Sequence, residues 1–89
     1  MKTIHIKITG RVQGVFFRAK AREKALPNNL RGWIKNTDEG HVEAIVTGEE
    51  KDLAEFIAWC HQGPEKARVV NVLVTPLEKQ IFNDFNVIR

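Results

Sequence analysis

Gly10-Arg11-Val12-Gln13-Gly14-Val15-Phe16-Phe17-Arg18 joins two stretches of different periodicity, and the reading of the fold starts at that junction. Upstream, Ile4, Ile6 and Ile8 alternate with His5 and Lys7, the two-residue repeat of a strand with one buried face. Downstream, Ala19-Lys20-Ala21-Arg22-Glu23-Lys24-Ala25 is a run of strong helix formers. A strand therefore enters a short loop with two glycines, and the loop enters a helix whose first turn carries Arg18. Glycine lets the backbone bend until several N–H groups face one point, and the helix start adds free N–H groups and partial positive charge. Such a concavity takes an anion, most naturally a phosphate. Arg18 adds a planar cationic fork beside it.

Working outward, the first strand covers about Thr3 to Thr9 and the first helix about Phe17 to Leu26, with Phe17, Ala21 and Ala25 as its buried stripe. Pro27-Asn28-Asn29 ends that helix. A second strand, Leu30 to Asn36, turns through Thr37-Asp38-Glu39-Gly40 into a third, His41 to Thr47. After Gly48, Leu53, Phe56, Ile57 and Cys60 fall at i, i+3, i+4, i+7, an amphipathic helix that Gly63-Pro64 stops. A fourth strand spans Val69 to Thr75, and Phe85-Asn86-Val87-Ile88 adds a short last one. The order β-α-β-β-α-β is expected to close as a ferredoxin-like α+β sandwich, an antiparallel sheet with both helices on one face. Right-handed crossovers then make the first two strands run the same way with the third between them. Their C-terminal ends meet at one end of the sheet, which makes Gly10 to Phe17 and Asn36 neighbours. Gly32, Ile34 and Asn36 share the face turned toward the helices, and Trp33 and Lys35 face away.

Composition bounds the possibilities. The 89 residues fit one small domain, residues 1–89, near the size where a single core is marginal. Apolar residues at 43% and charged residues at 28% describe a folded, soluble chain. No apolar run is long enough to span a bilayer, and the alternating Met1 to Lys7 reads as a strand and not a signal peptide. Cys60 stands alone, which fits a reducing cytoplasm and offers neither a disulfide nor a structural zinc site. A net charge of +3 suits a small anionic ligand at least as well as a nucleic acid.

Each candidate residue also has a plainer reading. Arg18 in isolation is a solvated helix residue, and Asn36 in isolation opens the turn that follows it. His5, His41 and His61 share no ligand spacing and read as surface residues, as does the basic face Lys20, Arg22 and Lys24. Cys60 is a small core residue, and Trp59 lies off the stripe of its helix. A non-enzymatic RNA- or anion-binding module is the competing class, because RNA-recognition domains share this element order. They stack bases on aromatic residues of the outer strand face, where this chain has His5, Lys7, His41, Glu43 and Ile45. The loop also lacks the Cys-x-x-Cys of a metal carrier and the Gly-Lys-Ser/Thr ending of a nucleotide-binding loop.

Gly10 to Arg18, then Gly32-Trp33-Ile34-Lys35-Asn36 and Gly40-His41-Val42-Glu43, resembles the acylphosphatase family. Gly63-Pro64 and Phe85-Asn86-Val87 extend the resemblance over nearly the whole chain. It implies hydrolysis of acyl phosphates to a carboxylate and inorganic phosphate, without metal or cofactor, by a cytoplasmic monomer that engages neither nucleic acid nor membrane. The family's catalytic arginine and asparagine fall on Arg18 and Asn36. The phosphate-binding loop falls on Arg11, Val12, Gln13, Gly14, Val15, Phe16 and Phe17, with phosphate as both product and inhibitor. Leu26-Pro27-Asn28-Asn29-Leu30 departs from the family's leucine-glycine-leucine connection.

The chemistry of the residues agrees with that implication. Neither the loop nor Asn36 brings a general acid, a nucleophile–base pair or a carboxylate cluster. An acyl phosphate expels a carboxylate, whose conjugate acid has a pKa of about 4, so the leaving group needs no proton. Positioning a water and neutralising phosphoryl charge in a loose transition state then suffice.

Overall fold

The structure is a computed structural model covering residues 1–89. Strand β1 (Lys2–Arg11) buries Ile4, Ile6 and Ile8 and leaves His5 and Lys7 half-buried on the opposite face. Helix α1 (Phe17–Ala25) buries Phe17, Ala21 and Ala25. Strands β2 (Arg31–Asn36) and β3 (Val42–Gly48) form the hairpin, helix α2 (Glu50–Gln62) returns over the sheet, and β4 (Arg68–Leu77) and β5 (Phe85–Ile88) complete it. The sheet order is β4-β1-β3-β2-β5. β1 and β2 both lie antiparallel to β3 between them, as right-handed crossovers require.

β5 pairs with β2 in parallel, so the ferredoxin-like antiparallel sheet gains a parallel edge and is mixed as a whole. The chain leaves β4 at one edge and crosses the end of the sheet to reach the other. Two buried threonines guide the crossing. Thr3 and Thr47 hydroxyls meet at 2.7 Å; the Gln80 N–H donates to Thr3 Oγ1 at 2.8 Å and Thr47 Oγ1 donates to the Gln80 carbonyl at 2.8 Å. The Gly32 N–H then takes the Asp84 carbonyl at 2.9 Å, which sets β5 beside β2.

One core holds the two layers together: Ile4, Ile6, Ile8, Ile34, Val42, Ala44 and Val46 from the sheet meet Phe17, Ala21, Leu53, Phe56 and Cys60 from the helices. On α2, Leu53, Phe56 and Cys60 are buried, and Ile57 packs partly buried against them. Trp59, half-buried off the stripe, packs against Phe17 at 5.2 Å and Phe56 at 6.2 Å between ring centroids. Burial pushes the Cys60 thiol up to about 12, which leaves it an inert core residue.

The first helix ends at the proline segment as its sequence implies: α1 passes into a 3-10 turn, Leu26–Asn28, where the missing N–H of Pro27 costs nothing at the start of the turn. Asn29 then reverses the chain with φ of 58°, the left-handed position that glycine commonly fills. Two local expectations need correction. His5 is not a free surface residue, because its Nε2 lies 2.9 Å from Glu43 on the neighbouring strand, and Nδ1 of His41 is buried. Arg22 is no solvated member of a basic face either. Its Nε donates to the Phe85 carbonyl at 2.7 Å, and its Nη2 lies 3.6 Å from Asp84.

Candidate active site

The loop between β1 and α1 takes its shape from three side chains that dive into the core. Val12, Val15 and Phe17 are 1%, 6% and 2% exposed, so their apolar burial anchors the segment at three points. Between the anchors, Gly14 and Phe16 adopt positive φ, 74° and 65°, and turn the backbone back on itself. Phe16 is the N-cap of α1, carries no side-chain cap and is 76% exposed. A left-handed phenylalanine costs about 1–3 kcal/mol, an expense usually found where a site is built.

The consequence is a set of free donors. Of the nine backbone hydrogen bonds outside the helices and strands, none has its donor among residues 12 to 19, and the first to use the helix start is Lys20 N–H to the Phe16 carbonyl. The first-turn amides of α1 have no intrahelical acceptor by geometry. Partial positive charge therefore collects at this end of α1.

Gln13 ties the loop to the opposite hairpin. Its Nε2 donates to the Thr37 carbonyl at 2.9 Å and to the His41 carbonyl at 2.8 Å. The same turn is closed by Thr37 N–H to the His41 carbonyl at 2.9 Å and His41 N–H to Thr37 Oγ1 at 3.1 Å. Asn36, the last residue of β2, is thereby held against the loop on the helix-facing side, opposite Val42 in register.

Arg18 and Asn36 line one cavity of about 420 Å³ with Val12, Gly14, Phe16, Phe17, Ala19, Val87 and Arg89. Arg18 Nη1 donates to the Ile88 carbonyl at 3.1 Å, and the guanidinium makes no ion pair. Its charge is thus steered by a neutral acceptor and stays available to an anion. The Asn36 Oδ1 is buried with no protein donor. An orphaned buried acceptor of this kind is uncommon and calls for a donor from outside the chain, such as a water.

The structure brings Val12, Gly14, Phe16, Phe17 and Arg18 to the cavity with Asn36, and places Gln13 behind it as the clamp. Val15 faces the core. The Arg11 side chain is elsewhere, in a neighbouring depression with Arg68. Sequence reading missed two contributors: the clamp made by Gln13, and the wall made by β5 through Val87 and the Ile88 carbonyl. A strand-like C-terminal run was visible, but nothing local to it announced its partner. The open sheet face, where single-stranded nucleic acid would stack, carries Glu43 between His5 at 2.9 Å and Lys35 at 3.3 Å.

Known proteins resemble this chain along almost its whole length. A profile of the acylphosphatase family matches residues 4–87. An acylphosphatase of Methylococcus capsulatus is 39% identical over 90 residues, covering 100% of this chain and 98% of the relative. One of Haloquadratum walsbyi is 40% identical over 85 residues, covering 96% and 91%. The crystal structure of acylphosphatase from Bacillus subtilis superimposes with a TM-score of 0.96 at 32% identity, covering 100% of both chains.

Proposed function

We propose a division of labour between Arg18 and Asn36 from one premise: this chain belongs to the acylphosphatase family, and it hydrolyses acyl phosphates to a carboxylate and inorganic phosphate. The phosphoryl group sits in the cavity, held by the backbone N–H groups of the Arg11 to Phe17 segment and by the Arg18 guanidinium. Asn36 positions the attacking water through its side-chain amide. The single observation that supports this most is that Arg18, Gly14, Phe16 and Asn36 line one 420 Å³ cavity, with the Arg18 charge unpaired and the Asn36 oxygen unpartnered.

The reaction follows from those placements. Water attacks phosphorus opposite the acyl oxygen, the P–O bond to the acyl group breaks, and its electron pair leaves on the carboxylate. The water proton passes to a phosphate oxygen. Charge spread over the phosphoryl oxygens in the loose transition state meets Arg18 and the loop amides, which were oriented before the substrate arrived. No side chain has to titrate, since the leaving carboxylate is weakly basic. The setting we propose is a monomer of one domain in the cytoplasm, with neither nucleic acid nor membrane as partner. The unpaired, buried Cys60 agrees with that compartment.

Two variants test the assignment. R18Q is expected to lose phosphate binding and turnover together, because the cation serves ground and transition state alike. N36A is expected to keep phosphate inhibition while kcat falls by at least about 2.7 kcal/mol, the scale of one oriented catalytic donor. Near-normal kcat in N36A would return Asn36 to the role of a turn residue.

A further inference from the structure

Arg11 and Arg68 are direct partners across the β1–β4 ladder. Like charges directly opposite each other in an antiparallel pair repel and destabilise it. Neither arginine makes an ion pair, and Lys66 and Glu65 beside them make none either. All four side chains are exposed and line a depression of about 750 Å³, together with Gly14 and Val15. Three cations thus share one space with a single carboxylate, and that carboxylate neutralises none of them by contact.

Local backbone features concentrate charge here. The β1–β4 register shifts between Thr9 and Gly10, and such bulges re-aim the side chains that follow. Gly10 has φ of 125°, and its Cα lies so close to the Arg68 carbonyl that a Cβ would overlap it. The turn closed by Ala67 N–H to the Pro64 carbonyl at 3.0 Å brings Lys66 over the same space. Gly14 also lines the cavity that holds Arg18 and Asn36, so the two cavities meet at that glycine.

We propose that Arg11, Lys66 and Arg68 form a second anion subsite, continuous with the phosphoryl cavity at Gly14, which selects acyl phosphates whose acyl part bears a further anionic group. The proposal rests on the placement of the phosphoryl group given above. With that group against the loop amides, an acyl chain leaving the cavity past Gly14 carries its far end toward the three cations. An anion there relieves the Arg11–Arg68 repulsion, a gain that an uncharged acyl group does not supply.

The test compares kcat/KM for para- and meta-carboxybenzoyl phosphate with that for the matching carbamoylbenzoyl phosphates, which have the same shape without the charge. The wild-type chain is expected to favour the carboxylate of at least one isomer by about tenfold, and the K66Q/R68Q double variant to reduce that ratio to within about twofold. Both residues are exposed and outside the phosphoryl cavity, so turnover of the carbamoyl substrates is expected to persist in the double variant. The carboxylate also adds a charge that the net positive chain attracts from a distance. K51Q/K79Q, which removes two exposed cations outside both cavities, is therefore the control and is expected to keep the ratio within about twofold of wild type. Absence of preference for either isomer in the wild type, or a preference that survives K66Q/R68Q, would overturn the subsite. R18Q separates the underlying reading: unaffected turnover of all four substrates there would overturn the phosphoryl placement and not the charge preference, which the ratio reports by itself.

Discussion

Gly10 sits at the register shift of β1 with φ of 125°, and any Cβ at that position would fall on the Arg68 carbonyl. Gly14, four residues on, has φ of 74° but open space around it. The two glycines therefore answer different demands, one steric and one conformational. G14A is expected to cost about 1–2 kcal/mol, the strain of a left-handed alanine. G10A is expected to cost about 3 kcal/mol or more, because strand pairing must shift as well. Urea unfolding of both variants decides this, and equal losses would refute the steric account of Gly10.

Glu43 gives the residue scale its pH dependence. Its carboxyl is held below the usual 4.5 chiefly by the hydrogen bond from His5; burial opposes this, and the nearby Lys35 ammonium lowers it further. A depressed folded-state pKa means that the unfolded chain takes up the proton first as pH falls. The stabilisation is therefore complete above the carboxylate range and lost below about pH 4.5. E43Q is expected to destabilise the chain at about pH 7 and to differ little from wild type at about pH 3. A gap between the two unfolding curves that is the same at both pH values would exclude the His5–Glu43–Lys35 row as its cause.

At the scale of elements, the site is a junction between two loops that neither loop makes alone. The β1–α1 loop is pinned from below by Val12, Val15 and Phe17 and from the side by the two bonds of Gln13. Truncating Gln13 leaves the Thr37 and His41 carbonyls without that donor. Q13A is expected to lose about 1–3 kcal/mol of stability and to weaken inhibition by phosphate, because the amides drift from their common focus. Unchanged phosphate inhibition would show that the core anchors suffice. Gln13 could be read from sequence only as a loop residue, since its acceptors lie in a turn that no local pattern connects to it. Phe17, Ala21 and Ala25 were legible because a buried helical stripe repeats within the helix itself.

For the whole molecule, one core of 17 buried residues supports both the fold and the site, so ligand binding and stability are linked. Phosphate that fills the cavity binds only the folded chain. At about ten times its inhibition constant it is expected to add about 1.4 kcal/mol, which for a domain of this size raises Tm by roughly 6–11 °C. R18Q is expected to show little of that rise. Scanning calorimetry with and without phosphate reads both, and an equal rise in R18Q would place the bound anion outside the Arg18 cavity.

The sequence by itself determined what is periodic or local. Alternation fixed the face of β1 that is buried, the i, i+3, i+4, i+7 stripe fixed that of α2, and the glycines with the following helix start marked the loop that lines the Arg18–Asn36 cavity. Connection handedness then set the strand order and brought Asn36 to the loop. Tertiary structure alone decided which polar groups meet. It turned Arg22 onto the Phe85 carbonyl, set His5 against Glu43, sent Arg11 to Arg68 instead of the cavity lined by Arg18 and Asn36, and laid β5 parallel to β2. The physical reason is that periodicity reports only which side of its own element a residue occupies. A hydrogen bond or an ion pair depends on what a distant segment places opposite, and that becomes defined only when the core has packed.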